Sequence, residues 1–299
     1  MVEKNQSLSV WHEWNHQGFI PGLEETETAF QERVAFCQHL ESQLEQEVGA
    51  NLPFEVTDKE AKILLEEVLP FTQKLYGIQP RWTPIFFSNY QLTPWHGGCA
   101  WIFQLNEYTP TAAFLQLRKT FRHSLTFLGI YNRRELIAHE LAHVGRMMYQ
   151  EPQFEEMLAY QSSSSCWRRW LGPIVQSSKE SFFFIFILGT IILADFALLS
   201  LGTQMLAIAW WLKLIPLIFI ALAAGRLLTR HYTFKKCLQH LESLYFPQEA
   251  RHLRYRLLDN EIKQFSKFSP LEIRHFIERS AVHSFRWRFL KAIYPISIE

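Results

Sequence analysis

The chain carries almost no excess of charge of either sign, and it has few cysteines. Its 299 residues hold 30 Lys and Arg against 29 Asp and Glu, which gives a formal net charge of +1. That balance gives no reason to expect a nucleic acid as a partner, because phosphate binding requires a basic surface. The four cysteines form no CxxC pair, so we expect reduced thiols in a cytoplasm-like compartment rather than a disulfide framework. The first twenty residues have no apolar core, and we therefore expect no secretory signal peptide.

Two long apolar runs stand out in the second half of the sequence, at residues 182–202 and 205–225. Each is about twenty residues long, which is the length that an α-helix needs to cross a bilayer. Only a short turn separates them. The sequence therefore predicts an integral membrane protein with a two-helix transmembrane hairpin at 182–225, preceded by a linker at 166–181.

The charges around this hairpin predict its orientation. The turn carries no charge, whereas the flanks are basic, with Arg168, Arg169, Lys179, Arg226, Arg230, Lys235 and Lys236. By the positive-inside rule, both termini and both flanking parts are expected on the cytoplasmic side. Asp195 and Lys213 interrupt the two runs at nearly equal distances from the turn. Because an isolated charge at mid-membrane costs about 2.5–3.5 kcal/mol, we expect these two side chains to pair across the hairpin.

Outside the apolar runs, the hydrophobic periodicity predicts many helices and a small sheet. The predicted helices lie at about 27–48, 58–76, 134–150, 153–160, 234–244 and 251–265. The predicted strands lie at about 82–90, 99–105 and 112–117. A capping box at Ser269, with proline at the first helical position, predicts the start of a further helix. The aromatic and basic tail near 285–291 suits either the membrane face or packing beneath the soluble part.

The segment 139–143 reads His-Glu-Leu-Ala-His within a predicted helix. His139 and His143 lie four residues apart and hence on one face, where both imidazoles can bind a single metal ion. Glu140 reaches a water on that metal rather than the metal itself, which suits a general base. The other positions between 136 and 144 are uncharged, as a helix in a catalytic core requires. These features predict a zinc site, since zinc favours imidazole ligands and activates water near neutral pH.

A zinc hydrolase site needs a third protein ligand and an open coordination position. The downstream candidates are Glu151, Glu155 and Glu156, of which Glu151 precedes a proline in the expected turn. Glu155 and Glu156 would point about 100° apart on one helix. Tyr149 and Tyr160 are both close enough in sequence to stabilise an oxyanion, and no spacing rule selects one of them.

Over residues 139–160 the chain resembles the gluzincin branch of zinc metallopeptidases. In that branch the third ligand is a glutamate on a following helix, commonly with alanine three residues later so that the two helices approach closely. The resemblance implies Glu156 as that ligand and Ala159 as the small contact residue. It also implies peptide hydrolysis by water that Glu140 activates on the zinc. An extended substrate would add to a sheet edge, for which the strands at 99–105 and 112–117 are the candidates.

The expected fold is α+β. We expect a mainly helical, zincin-like catalytic domain with a small β-sheet at 1–165, then the linker and hairpin, and a helical C-terminal region at 226–299. The expected function is a membrane-anchored metallopeptidase that holds one Zn²⁺ ion and hydrolyses peptide or protein substrates beside the lipid bilayer. One alternative is a non-catalytic, membrane-anchored binding protein whose metal site is structural or vestigial. Another is a metal-dependent hydrolase of lipids or other esters.

Overall fold

The computed structural model describes residues 2–47, 59–129, 131–174, 178–201, 211 and 213–297. The helices before the sheet are α1 (Val2–His16), α2 (Glu27–Gln38), α3 (Leu40–Glu47) and α4 (Lys59–Tyr76). The strands are β1 (Ile85–Phe87), β2 (Gly98–Phe103), β3 (Ala112–Leu117), β4 (Thr126–Phe127) and β5 (Tyr131–Asn132). The next helices are α5 (Arg133–Gly145), α6 (Pro152–Ala159), α7 (Cys166–Leu171) and α8 (Ser178–Leu201). The last are α9 (Leu214–Glu242), α10 (Pro247–Tyr255), α11 (Asp259–Phe265), α12 (Pro270–His283) and α13 (Phe285–Ile293).

The three predicted strands form one small sheet in the order β1-β3-β2. β3 runs parallel to β1 and antiparallel to β2, with Ala100 opposite Leu115. The side chains of β3 are largely buried. Among the described residues, β2 pairs on one side only and is therefore an edge strand, and it also contacts α5. A second, two-stranded ribbon of β4 and β5 leads directly into α5.

Two predicted helices are each divided into two by a turn of the backbone. The helix predicted at 27–48 ends at Gln38, because His39 leaves the helical conformation, and α3 then restarts at Leu40. The helix predicted at 251–265 is two helices, because the backbone turns at the fully buried Arg256 and its carbonyl binds side chains instead of continuing the helix. The capping box of Ser269 and Glu272 is confirmed at the start of α12. The sequence did not predict α1, which packs through Trp11 against the aromatic rings of α13.

Residues 214–225 of the second predicted span and most of the helix predicted at 234–244 lie in one continuous helix, α9. No proline or glycine stands between Gly225 and Phe234 to break it. By length and hydropathy, α9 is the one helix in the described part of the chain that could cross a membrane, and α8 contains a shorter apolar stretch, Phe182–Leu198. Residues 202–210, which include the predicted turn, lie outside the described residues.

One hydrophobic core joins the N-terminal and C-terminal parts of the chain. It contains side chains from α2, α4, the main sheet, α5 and α6, together with Phe234, Leu253 and Phe289 from the C-terminal helices. The tail helix α13 packs into this core with Arg286 and Trp287 buried, while Arg288 and Lys291 on the same helix are exposed. The domain boundaries predicted from the sequence stay predictions, since they divide segments that share this core.

Candidate metal centre

The two helices that carry the candidate ligands have well-defined starts. Asn132 caps α5 by accepting hydrogen bonds from the backbone N–H groups of Arg134 (3.0 Å) and Glu135 (3.4 Å). The carboxylate of Asp259, on α11, accepts hydrogen bonds from Gln153 N (2.8 Å) and Phe154 N (3.2 Å) at the start of α6. Capping satisfies backbone N–H groups that have no partner within the helix. Side-chain hydrogen bonds thus fix the N-terminus of each of the two helices that carry the candidate ligands.

Three side chains converge on one point between these helices. The Nε2 atoms of His139 and His143 lie 3.3 Å apart. Glu156 places Oε2 at 3.5 Å from His139 Nε2 and Oε1 at 3.7 Å from His143 Nε2. The ligand atoms of a tetrahedral zinc site, with bonds of about 2.0–2.1 Å, lie about 3.3 Å apart. The donor set of two imidazoles and one carboxylate therefore fits a zinc ion in both chemistry and spacing.

Glu155 lies next to this cluster and points away from its centre. Its Oε1 is 3.0 Å from His143 Nδ1, and its Oε2 accepts a hydrogen bond from Arg146 Nε at 2.6 Å. The His139 ring hydrogen-bonds the backbone of Ala159, a buried residue on α6. Both histidines thus have a second partner that fixes the orientation of the ring, as metal-binding histidines usually do.

The acid–base properties of the two histidines differ because they share one buried site. Burial and the neighbouring His143 hold the pKa of His139 well below its usual value, so that its nitrogen keeps a free lone pair. Burial also lowers the pKa of His143, but Glu155, Glu156 and Glu140 outweigh that effect and raise it to about 9. The three carboxyl groups therefore favour a positive charge at His143. A divalent cation bound at the cluster would supply that positive charge instead.

Glu140 lies beside the three candidate ligands without being one of them. Its Oε2 accepts a hydrogen bond of 2.8 Å from the backbone N–H of Ala100 on β2. Burial raises the pKa of this carboxyl group. A carboxylate with a raised pKa, beside the candidate ligands and held by the edge strand, is suited to accept and return a proton.

The cluster opens into a cleft of about 840 Å³. Tyr160 lines it, with its ring 4.8 Å from that of His139, and burial raises the pKa of this tyrosine to about 12. The Tyr160 ring packs directly on Gly172, where a side chain would collide with it. Tyr149 is buried instead between Arg256 O and Arg286 Nε, at 2.9 Å from each. Of the two tyrosines considered from the sequence, the one that faces the candidate metal ligands is thus Tyr160.

Several residues that shape the centre were not found by sequence reasoning. Arg146 holds Glu155, and its guanidinium also donates to the carbonyls of Tyr255 and Leu257 in the C-terminal helical region. The Tyr255 hydroxyl donates to Ala142 O at 2.6 Å, and Gly145 leaves the space for that ring. These contacts join positions more than 100 residues apart, and no local pattern reveals such pairs.

Two further expectations concern residues outside this centre. Glu151, expected in a turn before a proline, accepts a hydrogen bond from Asp259 N and so helps to attach α11 to the turn before α6. Asp195 and Lys213 are brought together, with Oδ2 and Nζ 3.3 Å apart across the pair of apolar helices.

A comparison with protein-family models, curated proteins and solved structures finds no match to this chain.

Proposed function

We propose that the protein is a membrane-anchored, zinc-dependent peptidase. The observation that carries this proposal is the convergence of His139, His143 and Glu156, within 3.3–3.7 Å of one another, beside Glu140 in an open cleft. Structural zinc sites are closed by four protein ligands, whereas catalytic sites keep one position open for water or substrate. A cluster of three ligands at the base of an 840 Å³ cleft favours the catalytic kind over the structural kind.

Zinc bound at this cluster supplies Lewis acidity that makes water a nucleophile near neutral pH. Glu140 accepts a proton from the attacking water as the water oxygen bonds to the carbonyl carbon of the substrate. When the carbon–nitrogen bond breaks, Glu140 returns the proton to the leaving nitrogen, so that one water is added across the bond. Tyr160 is positioned to donate a hydrogen bond to the negatively charged oxygen that develops from the carbonyl.

The position of β2 favours a polypeptide substrate over a lipid or another ester. β2 is an edge strand in the described sheet, and Gly98 and Cys99 at its start line the same cleft as Glu140. An extended peptide bound along such an edge gains backbone hydrogen bonds that are independent of its sequence. Ala100 N already contacts Glu140, so a peptide added here would pass close to the general base.

The anchoring proposal rests on α9 and on its pairing with α8. Their contacts are antiparallel, with Glu180 bound to Arg226 (2.8 Å) near one end and Asp195 bound to Lys213 near the other. We propose that both helices cross the bilayer, with the basic flanks and the cleft on the cytoplasmic side. Large apolar side chains on both helices, such as Phe196 and Leu222, are not covered by the rest of the protein.

The variant Glu140→Gln tests the enzymatic proposal. The amide cannot accept the proton of water, so we expect zinc to remain bound at one ion per chain while peptide hydrolysis falls by at least about 100-fold. The measurements are elemental analysis of the purified protein and mapping of new peptide termini in a membrane proteome. If activity persists in this variant, or if the wild type holds zinc and cuts nothing, the catalytic interpretation fails.

A further inference from the structure

The helix α9 is firmly joined to the candidate metal centre at the point where its apolar half ends. The buried Arg230 donates to Gln153 O (3.0 Å) and Pro173 O (2.6 Å). His231 binds Trp170 O at 2.8 Å and stacks on the Trp170 ring. Gln153 is only three residues before the candidate ligand Glu156. The apolar pair of helices and the cleft are therefore held at a fixed separation.

An apolar groove between α8 and α9 adjoins the cleft. This groove has a volume of about 320 Å³ and is lined by Ile174, Phe184, Ile185, Phe219, Ile220 and Ala223, with the Glu180–Arg226 ion pair beside them. Ile174 lines both the groove and the metal cleft. A polypeptide whose apolar segment lies in the groove would therefore meet the cleft at Ile174.

We infer that the substrates are integral membrane proteins, cut close to the end of a membrane-spanning segment. This inference rests on the proposed peptidase activity and adds the substrate class to it. The apolar segment of the substrate lies against the groove, and the polypeptide that leaves the membrane enters the cleft past Ile174. The occupant is a polypeptide rather than a phospholipid chain because the cleft that adjoins the groove is lined by the start of an edge strand, which recognises backbone amides.

The geometry limits how far from the membrane the cut can fall. Arg226, beside the groove, lies about 6 Å along α9 from Arg230, whose guanidinium contacts Gln153 O three residues before the candidate ligand Glu156. The groove and the ligand helix are thus linked by one arginine side chain and about one turn of each helix. About ten extended residues span roughly 33 Å. Cleavage should therefore occur within about ten residues of the end of the substrate's membrane segment.

The test uses full-length, zinc-loaded protein in phospholipid vesicles with two substrates. One is a model protein with a single membrane helix followed by a long unstructured polypeptide, and the other is the same polypeptide free in solution. Mass spectrometry of new termini gives the position and rate of cleavage in each. We expect Glu140-dependent cuts in the anchored substrate to cluster within about ten residues of its membrane helix. Cuts spread evenly along the anchored polypeptide would overturn the inference, whatever happens to the free one.

A pair of variants tests the groove itself. Ala223→Phe fills the groove. We expect the ratio of the cleavage rate of the anchored substrate to that of the free substrate to fall about tenfold, which is the lower range for a changed apolar contact. Ala221→Phe is the matched control, because Ala221 lies on the exposed surface of the same helix and does not line the groove. Equal ratios in the two variants overturn the inference, and so does a change in co-purified phospholipid without a change in the ratio. If neither substrate is cut at all, the proposed peptidase fails and the substrate class with it.

Discussion

Glu155 and Glu156 are neighbours in the sequence, yet their carboxylates have different partners. Successive residues of a helix point about 100° apart, so Glu156 faces the two histidines while Glu155 reaches the far nitrogen of His143 and the guanidinium of Arg146. Their protonation differs accordingly. Burial alone would raise the pKa of Glu155, but Arg146 and His143 outweigh it and lower this pKa. Burial raises the pKa of Glu156, which has no such cation beside it other than His143. Of the two carboxylates, Glu156 is therefore the one whose charge is less well compensated, and it is also the one that faces the proposed zinc site.

The two tyrosines near the centre give a residue-scale prediction. Tyr160→Phe removes a donor from the cleft, so we expect kcat to fall by about 100-fold while the zinc content and the free energy of unfolding stay close to those of the wild type. Tyr149→Phe removes a buried hydroxyl that joins Arg286 to Arg256 O, and we expect it to cost about 1–3 kcal/mol of stability with little effect on kcat. Steady-state kinetics and denaturant unfolding of both variants check this, and the reverse pattern would assign the oxyanion role to Tyr149.

The residues of the centre could be predicted from the sequence only as far as local geometry determines them. His139, Glu140 and His143 share one helix, so their spacing alone places the two imidazoles on one face. Glu156 required a resemblance, because the turn between α5 and α6 depends on Gln150, which adopts a positive φ of 47°. Arg146 could not be found at all, since its partners Tyr255 and Leu257 lie on a distant part of the chain.

At the scale of elements, α5 and α6 depend on the C-terminal helices for their relative position. Asp259 caps α6, Tyr255 binds the carbonyl of Ala142 on α5, and Arg146 bridges Glu155 and the turn after α10. The segment that follows the apolar helices is thus part of the support of the metal centre. Helix periodicity in the sequence located these elements but gave no information on which of them touch.

Arg146 provides the test of this support. Arg146→Met leaves Glu155 without its cation, and we expect zinc affinity to fall by about 10–100-fold, as when other outer partners of metal ligands are removed. Competition with a chelator gives the affinity, and the absorption spectrum of the cobalt-substituted protein reports the ligand geometry. Arg256→Met is the control, because Arg256 is equally buried but binds Asn15 and Tyr76 O rather than Glu155. Equal losses of zinc affinity in both variants would mean that Arg146 acts only through general stability.

The ion pair of Asp195 and Lys213 gives a second prediction at this scale. Asp195→Leu leaves Lys213 without that carboxylate in an apolar helix pair, and we expect membrane insertion to become less favourable by about 2.5–3.5 kcal/mol. The double variant Asp195→Leu, Lys213→Leu removes both charges and should restore insertion. Glycosylation mapping of the inserted fraction provides the measurement. If the double variant inserts as poorly as the single one, the pairing has no role in insertion.

At the scale of the whole molecule, the chain folds as one core although apolar helices interrupt its sequence. α9 contributes to both parts, since its first half is exposed and apolar while Phe234, Cys237 and Leu241 in its second half are buried in the core. Sequence patterns predicted two helices here because the exposed half looks like a membrane span and the buried half like an amphipathic helix. A change along the helix from an exposed apolar surface to a buried one does not require a break in the backbone.

The junction between the N-terminal and C-terminal parts contains a histidine that should make stability depend on pH. His252, on α10, packs against Gly77 and lies 3.3 Å from Lys74 O at the end of α4. Burial, followed by the nearby Arg256 and Arg251, lowers its pKa from 6.5 to about 4. His252 also lines a cavity to which α1 contributes His12, Glu13 and His16.

Because the folded protein protonates His252 at about pH 4 and the unfolded chain near pH 6.5, the unfolded chain binds more protons between these values. The free energy of unfolding should therefore fall as the pH drops from 6.5 towards 4, by about 3 kcal/mol in total, and this contribution should change no further at lower pH. His252→Gln keeps a donor for Lys74 O but has no proton to gain, so its unfolding free energy should vary less across this window. His283→Gln, at an exposed position on α12, should retain the full dependence. Denaturant unfolding at several pH values in detergent measures all three proteins, and equal slopes for wild type and His252→Gln would remove His252 as the cause.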